Sequence, residues 1–363
     1  MKLKLEDLRA AFAIVDTVAP NPAAEASQFI RLSVGGGNLT LSLSGILWSS
    51  ASLPLPEKLE WEFYADRRVL KSWLSTARKD EIDIACKDGK LSMRCGQSLD
   101  IPTHDLVAGY EQWQAGKTFS FPEEWQSILD SLRNYCPAPG TGMEHVECCW
   151  FQKDWGAMAT DLNVVAVVLD EKTPWTLMLP TAMAGVIKQF PAAKLCADTH
   201  KVDHPFTGKP EAVYGFGAVV PGGWIYQVLD DALKRYPSTG IKDRIAAAIA
   251  VVDPLASAKV QDLSDAMQAC SEFLLDGNET AMATPANGSL MIAVDVHGGK
   301  FQRRVLANCK AAEGIRWPVK QIAPWLQFCS GRAESVEWVR LKEASALRCS
   351  GDGQTYVLVF ADF

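Results

Sequence analysis

Cys196, His200 and His204 recur at a spacing of four, with Asp198 and Asp203 between them. Thiolate, imidazole and carboxylate are the groups that hold zinc. The segment begins as a strand and runs into a Pro/Gly loop, so both histidines do not share a helical face, and no fourth ligand follows at a recognisable spacing. His145 with Cys148 and Cys149 is a weaker set, because neighbouring strand residues point to opposite faces. His104-Asp105 offers half of an acid–base pair with no nucleophile attached. Gly35-Gly36-Gly37 precedes a strand, so it presents no helix N-terminus to a phosphate and reads as a tight turn. No G-x-x-x-x-G-K-[ST], G-x-G-x-x-G or G-x-S-x-G sequence occurs. These residues give an enzyme little to work with, and no cofactor is implied.

A different chemistry is spread along one segment. Between Asp66 and Lys79 lie Arg67, Arg68, Lys71, Arg78 and Lys79. At about 100° per residue these cations fall opposite an apolar stripe of Val69, Leu70, Trp73, Leu74 and Ala77. Such a helix buries one face and offers the other to solvent or to an anionic polymer. Arg9, Arg133, Lys188, Lys320 and Arg332 lie near other helical segments, but one of those segments carries Asp262, Asp265 and Glu272.

The elements that position these groups recur. Strands end near Leu5, Phe63, Phe121, Leu179, Val260 and Trp317, about 58 residues apart except for a longer interval before Val260. Each is followed by apolar residues spaced three and four apart: Leu8, Ala11, Phe12 and Val15 in the first, Trp125, Ile128, Leu129 and Leu132 in the third. The fourth has Met183, Val186, Ile187 and Phe190, the fifth Met267, Cys270, Phe273 and Leu274, and the sixth Val319, Ile322, Leu326 and Cys329. That spacing predicts amphipathic helices. Pro122, Pro180 and Pro318 suit first helical positions, and Pro324 predicts a late start or a bend. Alternating stretches such as Leu39-Thr40-Leu41-Ser42-Leu43 predict half-buried antiparallel strands after each helix. The fold class is therefore α+β. Two units make a domain, and three domains account for the chain: 1–113, 114–235 and 236–363. Thr199–Glu211 is expected as a loop in the second domain. Tyr236–Lys242 begins the linker to the third, and Asp243–Val252 fits helix or strand equally.

Composition bounds the rest. The chain has 363 residues, 48% hydrophobic and 22% charged, ordinary values for a soluble globular protein. The formal net charge of −7 argues against a protein coated in nucleic acid. No apolar run is long enough for a membrane span, and the first six residues lack the apolar core of a secretory signal. The cytoplasm is expected, with the ten cysteines reduced and used as small hydrophobes.

This organisation resembles the bacterial DNA sliding clamps, the DNA polymerase III beta subunit family. Lys90–Gly96 with Leu99-Asp100-Ile101-Pro102 looks like the end of that family's first domain. Ala159-Thr160-Asp161-Leu162-Asn163-Val164-Val165-Ala166 looks like its A-T-D-G-H-R-L-A segment, and Thr355–Phe360 like its A-Y-V-V-M-P ending. The resemblance implies a clamp fold of three similar domains, with sheets outside and helices lining a ring that two chains close head to tail around duplex DNA. It implies no catalytic residues. Arg9, Arg67, Arg68, Lys71, Arg78, Lys79, Arg133 and Lys188 would face DNA without reading its sequence. A pocket for polymerase or clamp-loader peptides would use Val146, Thr160, Leu162, Asn163, Val164, Val165, Val357, Val359 and Phe360. Leu99 and Ile101 would meet Phe273 and Leu274 of a second copy. The family's Gly-His-Arg is Leu162-Asn163-Val164 here, which removes a glycine and a cation and makes the pocket more apolar. Two other readings stay open: a clamp-fold scaffold or decoy that closes no ring, and a metal-dependent enzyme built on the Cys196/His200/His204 set.

Overall fold

The computed structural model describes all residues except 18–27, 57–58, 88, 103–112, 140, 142, 144–145, 204–209, 230–238, 275–278, 343 and 362–363. All six strand-then-helix beginnings are present. Strand Lys2–Lys4 leads into α1 (Leu5–Asp16), Trp61–Asp66 into α2 (Arg67–Thr76) and Phe119–Ser120 into α3 (Glu123–Leu132). Strand Leu177–Pro180 leads into α4 (Thr181–Gln189). The long interval is filled by a further helix, α5 (Thr239–Ala250), over the segment whose sequence fitted two conformations. Ala256–Lys259 then leads into α6 (Val260–Ser271) and Ile315–Pro318 into α7 (Val319–Ser330).

The apolar stripes are buried as their spacing requires. Leu8, Ala11, Phe12 and Val15 are buried on α1, Trp125, Ile128, Leu129 and Leu132 on α3, and Val319, Ile322, Leu326 and Cys329 on α7. Each large side chain fully withdrawn from water contributes about 1.5–3 kcal/mol. Four expectations need correction. Val69 is 41% exposed, so the stripe of α2 is the narrower Leu70, Trp73, Leu74 and Ala77. Phe273 and Leu274 lie beyond the end of α6. Pro122, Pro180 and Pro318 each stand just before their helices rather than first in them, and α7 starts at Val319, not late, with Pro324 inside it. The expected loop at Thr199–Glu211 is largely a hairpin, because strand Lys194–Asp203 pairs with Pro210–Val220 along its whole length.

The chain forms two compact units, Met1–Glu123 with Ala182–Leu233 and Glu124–Thr181 with Lys234–Phe363. The first holds a four-stranded sheet in the order Lys2–Lys4, Glu81–Lys87, Lys90–Arg94, Ser98–Pro102. It also holds an eight-stranded sheet in which Trp48–Ala51 pairs with Gly223–Tyr226. The second unit is built on a twelve-stranded sheet in which Val164–Leu169 pairs with Thr355–Phe360. Every pairing among the described residues is antiparallel, and one hairpin turn falls at the glycines the sequence marked as a tight turn. Gly36 and Gly37, and Asp352 and Gly353, all have positive φ, which two-residue turns of this kind require.

Candidate functional site

The cationic face of α2 is shorter and more engaged than its sequence suggests. Asp66 caps the helix by accepting from the backbone N–H groups of Arg68 and Val69. At the other end Ala77 is extended, so Arg78 and Lys79 sit on the following turn. Arg9 reaches across from α1 and donates to the carbonyls of Leu74 and Ala77 at 2.7 Å each. It thereby satisfies carbonyls that the end of a helix leaves open. Arg67 donates from Nε to Asp16 Oδ1 at 2.8 Å, and Lys71 Nζ lies 2.8 Å from Asp16 Oδ2. Asp16, the last residue of α1, thus holds two of the expected DNA-facing cations, and Arg67 is largely buried with it. Arg68, Arg78 and Lys79 are exposed.

Beside this helix a cleft of about 450 Å³ gathers Lys4, Arg9, Arg78 and Lys79 with Glu6, Asp80 and Glu81. Sequence reasoning missed Lys4, which precedes its helix and lies off any stripe. Lys188 is exposed near the end of α4, and Arg133 follows α3 with its Nε 3.7 Å from Asp130.

The second candidate site lies within the second unit. A cavity of about 170 Å³ is lined by Thr160, Leu162, Asn163, Val165, Ile241, Arg244, Ile245, Ala344, Val359, Phe360 and Ala361. Six of the nine residues named from sequence are among these. Val164 and Val357 are buried in the sheet instead: Val164 faces away from its neighbour Val165, and Val357 lies one pleat further along the same strand face than Val359, under the sheet's core. Val146 is likewise core. The residues missed are Ala344, Ala361 and the α5 face of Ile241, Arg244 and Ile245. Their spacing of three and four was the available signal.

The rim is a tight turn. Thr160 Oγ1 accepts the Leu162 N–H at 2.9 Å, and Asp161 Oδ1 accepts those of Asn163 and Val164 at 2.9 and 2.8 Å. Leu162 is thereby held at φ +78° with its side chain exposed. The cavity contains no facing acid and nucleophile. Its character is apolar with one cation, Arg244, at the surface.

Of the residues named for contact with a second copy, Leu99 and Ile101 occupy a sheet edge, while Phe273 and Leu274 follow the end of α6. Leu99 and Ile101 lie on Ser98–Pro102, which ends the four-stranded sheet. Leu99 is half-buried, whereas Ile101 is buried within its own unit. Phe273 is 42% exposed and stacks on Phe301 with ring centroids 4.2 Å apart. Phe301 belongs to strand Gly299–Cys309. One edge of that strand pairs with Ser289–Val296, and the other is paired only from Ala307 onward.

The metal-ligand readings gain nothing from the geometry. His104, Asp105, His145 and His204 lie outside the described residues. Among the described residues no group of three or more His, Cys, Asp and Glu is placed to hold an ion. Cys196 is buried, and burial is the main cause that raises its thiol above the ordinary value.

No protein-family model matches the chain, and no curated protein matches it in sequence. Solved structures match it over its whole length. The DNA polymerase III subunit beta of Pseudomonas aeruginosa superposes with a TM-score of 0.73 at 16% identity, covering 100% of this chain and 99% of that one. A putative DNA polymerase III beta subunit from Eubacterium rectale gives 0.75 at 9% identity, covering 100% and 98%. The DnaN sliding clamp of Bartonella birtlesii, in a structure bound to griselimycin, gives 0.74 at 12% identity with the same coverage. The chain has the sliding-clamp fold of the bacterial DNA polymerase III beta subunit.

Proposed function

We propose that this chain is a DNA sliding clamp, a non-catalytic processivity factor whose two copies close head to tail around duplex DNA in the cytoplasm. The α5 pocket tethers a replicative polymerase and a clamp loader through short peptides. The three domains are 1–113, 114–235 and 236–363. The observation that carries this reading is the full-length correspondence of the fold with solved sliding clamps. Two others support it. Two sheet edges, at Ser98–Pro102 and Gly299–Leu306, lack a strand partner among the described residues. Open edges invite pairing, and a ring uses one edge against the other. Their charges are opposite: Asp100 is exposed on the first, and Lys300, Arg303 and Arg304 on the second.

DNA would be held topologically, so exposed cations such as Arg68, Arg78 and Lys79 need only attract phosphates. The test is retention. Protein dissociated by dilution is reconcentrated with circular plasmid, then passed over a sizing column at high salt. A clamp stays with the circle and is lost when the plasmid is cut once. Equal retention on circular and linear DNA, or none on either by a stable dimer, contradicts the reading.

A second reading, a clamp-fold scaffold that encircles nothing, is favoured by the engagement of Arg9, Arg67 and Lys71 within the protein. It predicts peptide binding without retention on circles.

A further inference from the structure

We infer that Leu162 sets which peptides the α5 pocket accepts, by supplying a fixed apolar knob that a second apolar side chain of the partner must cover. The inference rests on the partner-pocket reading above. Leu162 has φ +78°, where an L side chain crowds its own backbone and a glycine does not. Among the described residues the other two non-glycine residues in this region are Asp154 and Asp352, and aspartate adopts it readily in turns. Leucine does not, and here burial offers no compensation, because the side chain is 61% exposed. The conformation is imposed by the three hydrogen bonds that Thr160 Oγ1 and Asp161 Oδ1 accept from the backbone N–H groups of Leu162, Asn163 and Val164. A strained, over-determined residue with an exposed apolar side chain on a cavity rim is the arrangement expected where contact outweighs stability.

The rest of the cavity limits the partner further. Its volume of about 170 Å³ is close to the ~150 Å³ that takes one benzene ring, so one aromatic or branched aliphatic side chain fills it. Leu162 then offers surface to a neighbouring apolar residue, and Arg244 favours a carboxylate nearby. The partner is a short peptide with one large apolar anchor, a second apolar residue beside it and an acidic residue within reach of Arg244.

The test selects displayed random dodecapeptides on the full-length protein, in wild-type form and as Leu162→Gly, Leu162→Asn and Ala361→Trp. Ala361 is an exposed lining position, so its substitution blocks the cavity without touching the core. Wild type should enrich the anchor, the second apolar residue and the acid. Leu162→Gly and Leu162→Asn should keep the anchor and the acid, lose the second apolar preference, and bind wild-type-selected peptides about tenfold more weakly. Their thermal midpoints should be unchanged or higher. An unchanged consensus with affinities within about twofold would overturn the role of Leu162 and leave the pocket standing. Peptides that bind Ala361→Trp as well as wild type, or no enrichment at all, would overturn the pocket reading itself.

Discussion

Asp16 decides how much of the α2 cationic surface is engaged within the protein. It neutralises Arg67 and Lys71 within the first unit, so those cations serve the α1–α2 junction before they serve a ligand. Arg67→Ala should lower stability by about 1–3 kcal/mol, because it leaves a largely buried carboxylate short of a partner. Arg68→Ala should weaken DNA binding with little effect on stability. Urea unfolding and the salt dependence of binding to duplex DNA measure the two effects. Equal loss of DNA affinity in both variants would contradict the assignment. A titration belongs at this scale too. Burial is the largest cause that pushes the Cys270 thiol from 9.0 up to about 11. Its folded pKa lies above its unfolded one, so its contribution is complete below pH 9 and is lost as pH rises through 11. Cys270→Ala should flatten the fall of stability across that window, by up to about 1.4 kcal/mol per pH unit. An unchanged slope would place the buried proton elsewhere. The Asp16 pairs were not legible in the sequence, since 51 positions separate Asp16 from Arg67 and no local period links them.

At the scale of elements, periodicity carried far. Six helices follow six strands because spacings of three and four are buried wherever a sheet lies beneath them. It failed at α5 for a physical reason. Ala246, Ala247 and Ala248 give almost no contrast between the faces, and Ile249 is exposed where a stripe would bury it. The helix is finished from a distance, as Arg348 donates to the carbonyls of Ala248 and Ile249 at 2.9 and 2.6 Å. Because α5 was not recognised, half of one cavity wall was missed, although Thr160, Leu162, Asn163, Val165, Val359 and Phe360 of the opposite wall were among the residues named from sequence. The sheet edges give the prediction proper to this scale. Ile101 is buried in its own sheet, so charging it would disturb the unit itself. Leu99→Glu, at a half-buried edge position, should yield folded monomers with an unchanged circular dichroism spectrum. A dimer that survives this change would mean that a different surface holds the copies together.

At the scale of the whole molecule, the account is one of repetition put to mechanical use. Strand–helix units of similar length build sheets whose borders are closed by pairing, as between Trp48–Ala51 and Gly223–Tyr226 and between Val164–Leu169 and Thr355–Phe360. The open edges at Ser98–Pro102 and Gly299–Leu306 carry opposite charge, which suits contact between two copies better than contact of either edge with itself. A ring would also let a chain of net charge −7 work on DNA, because enclosure would replace tight binding. The central claim is tested most directly by solution mass, measured by size-exclusion chromatography with light scattering over a range of protein concentrations. The account predicts a stable particle of twice the 39.7 kDa chain mass. A strict monomer at every concentration would contradict the ring.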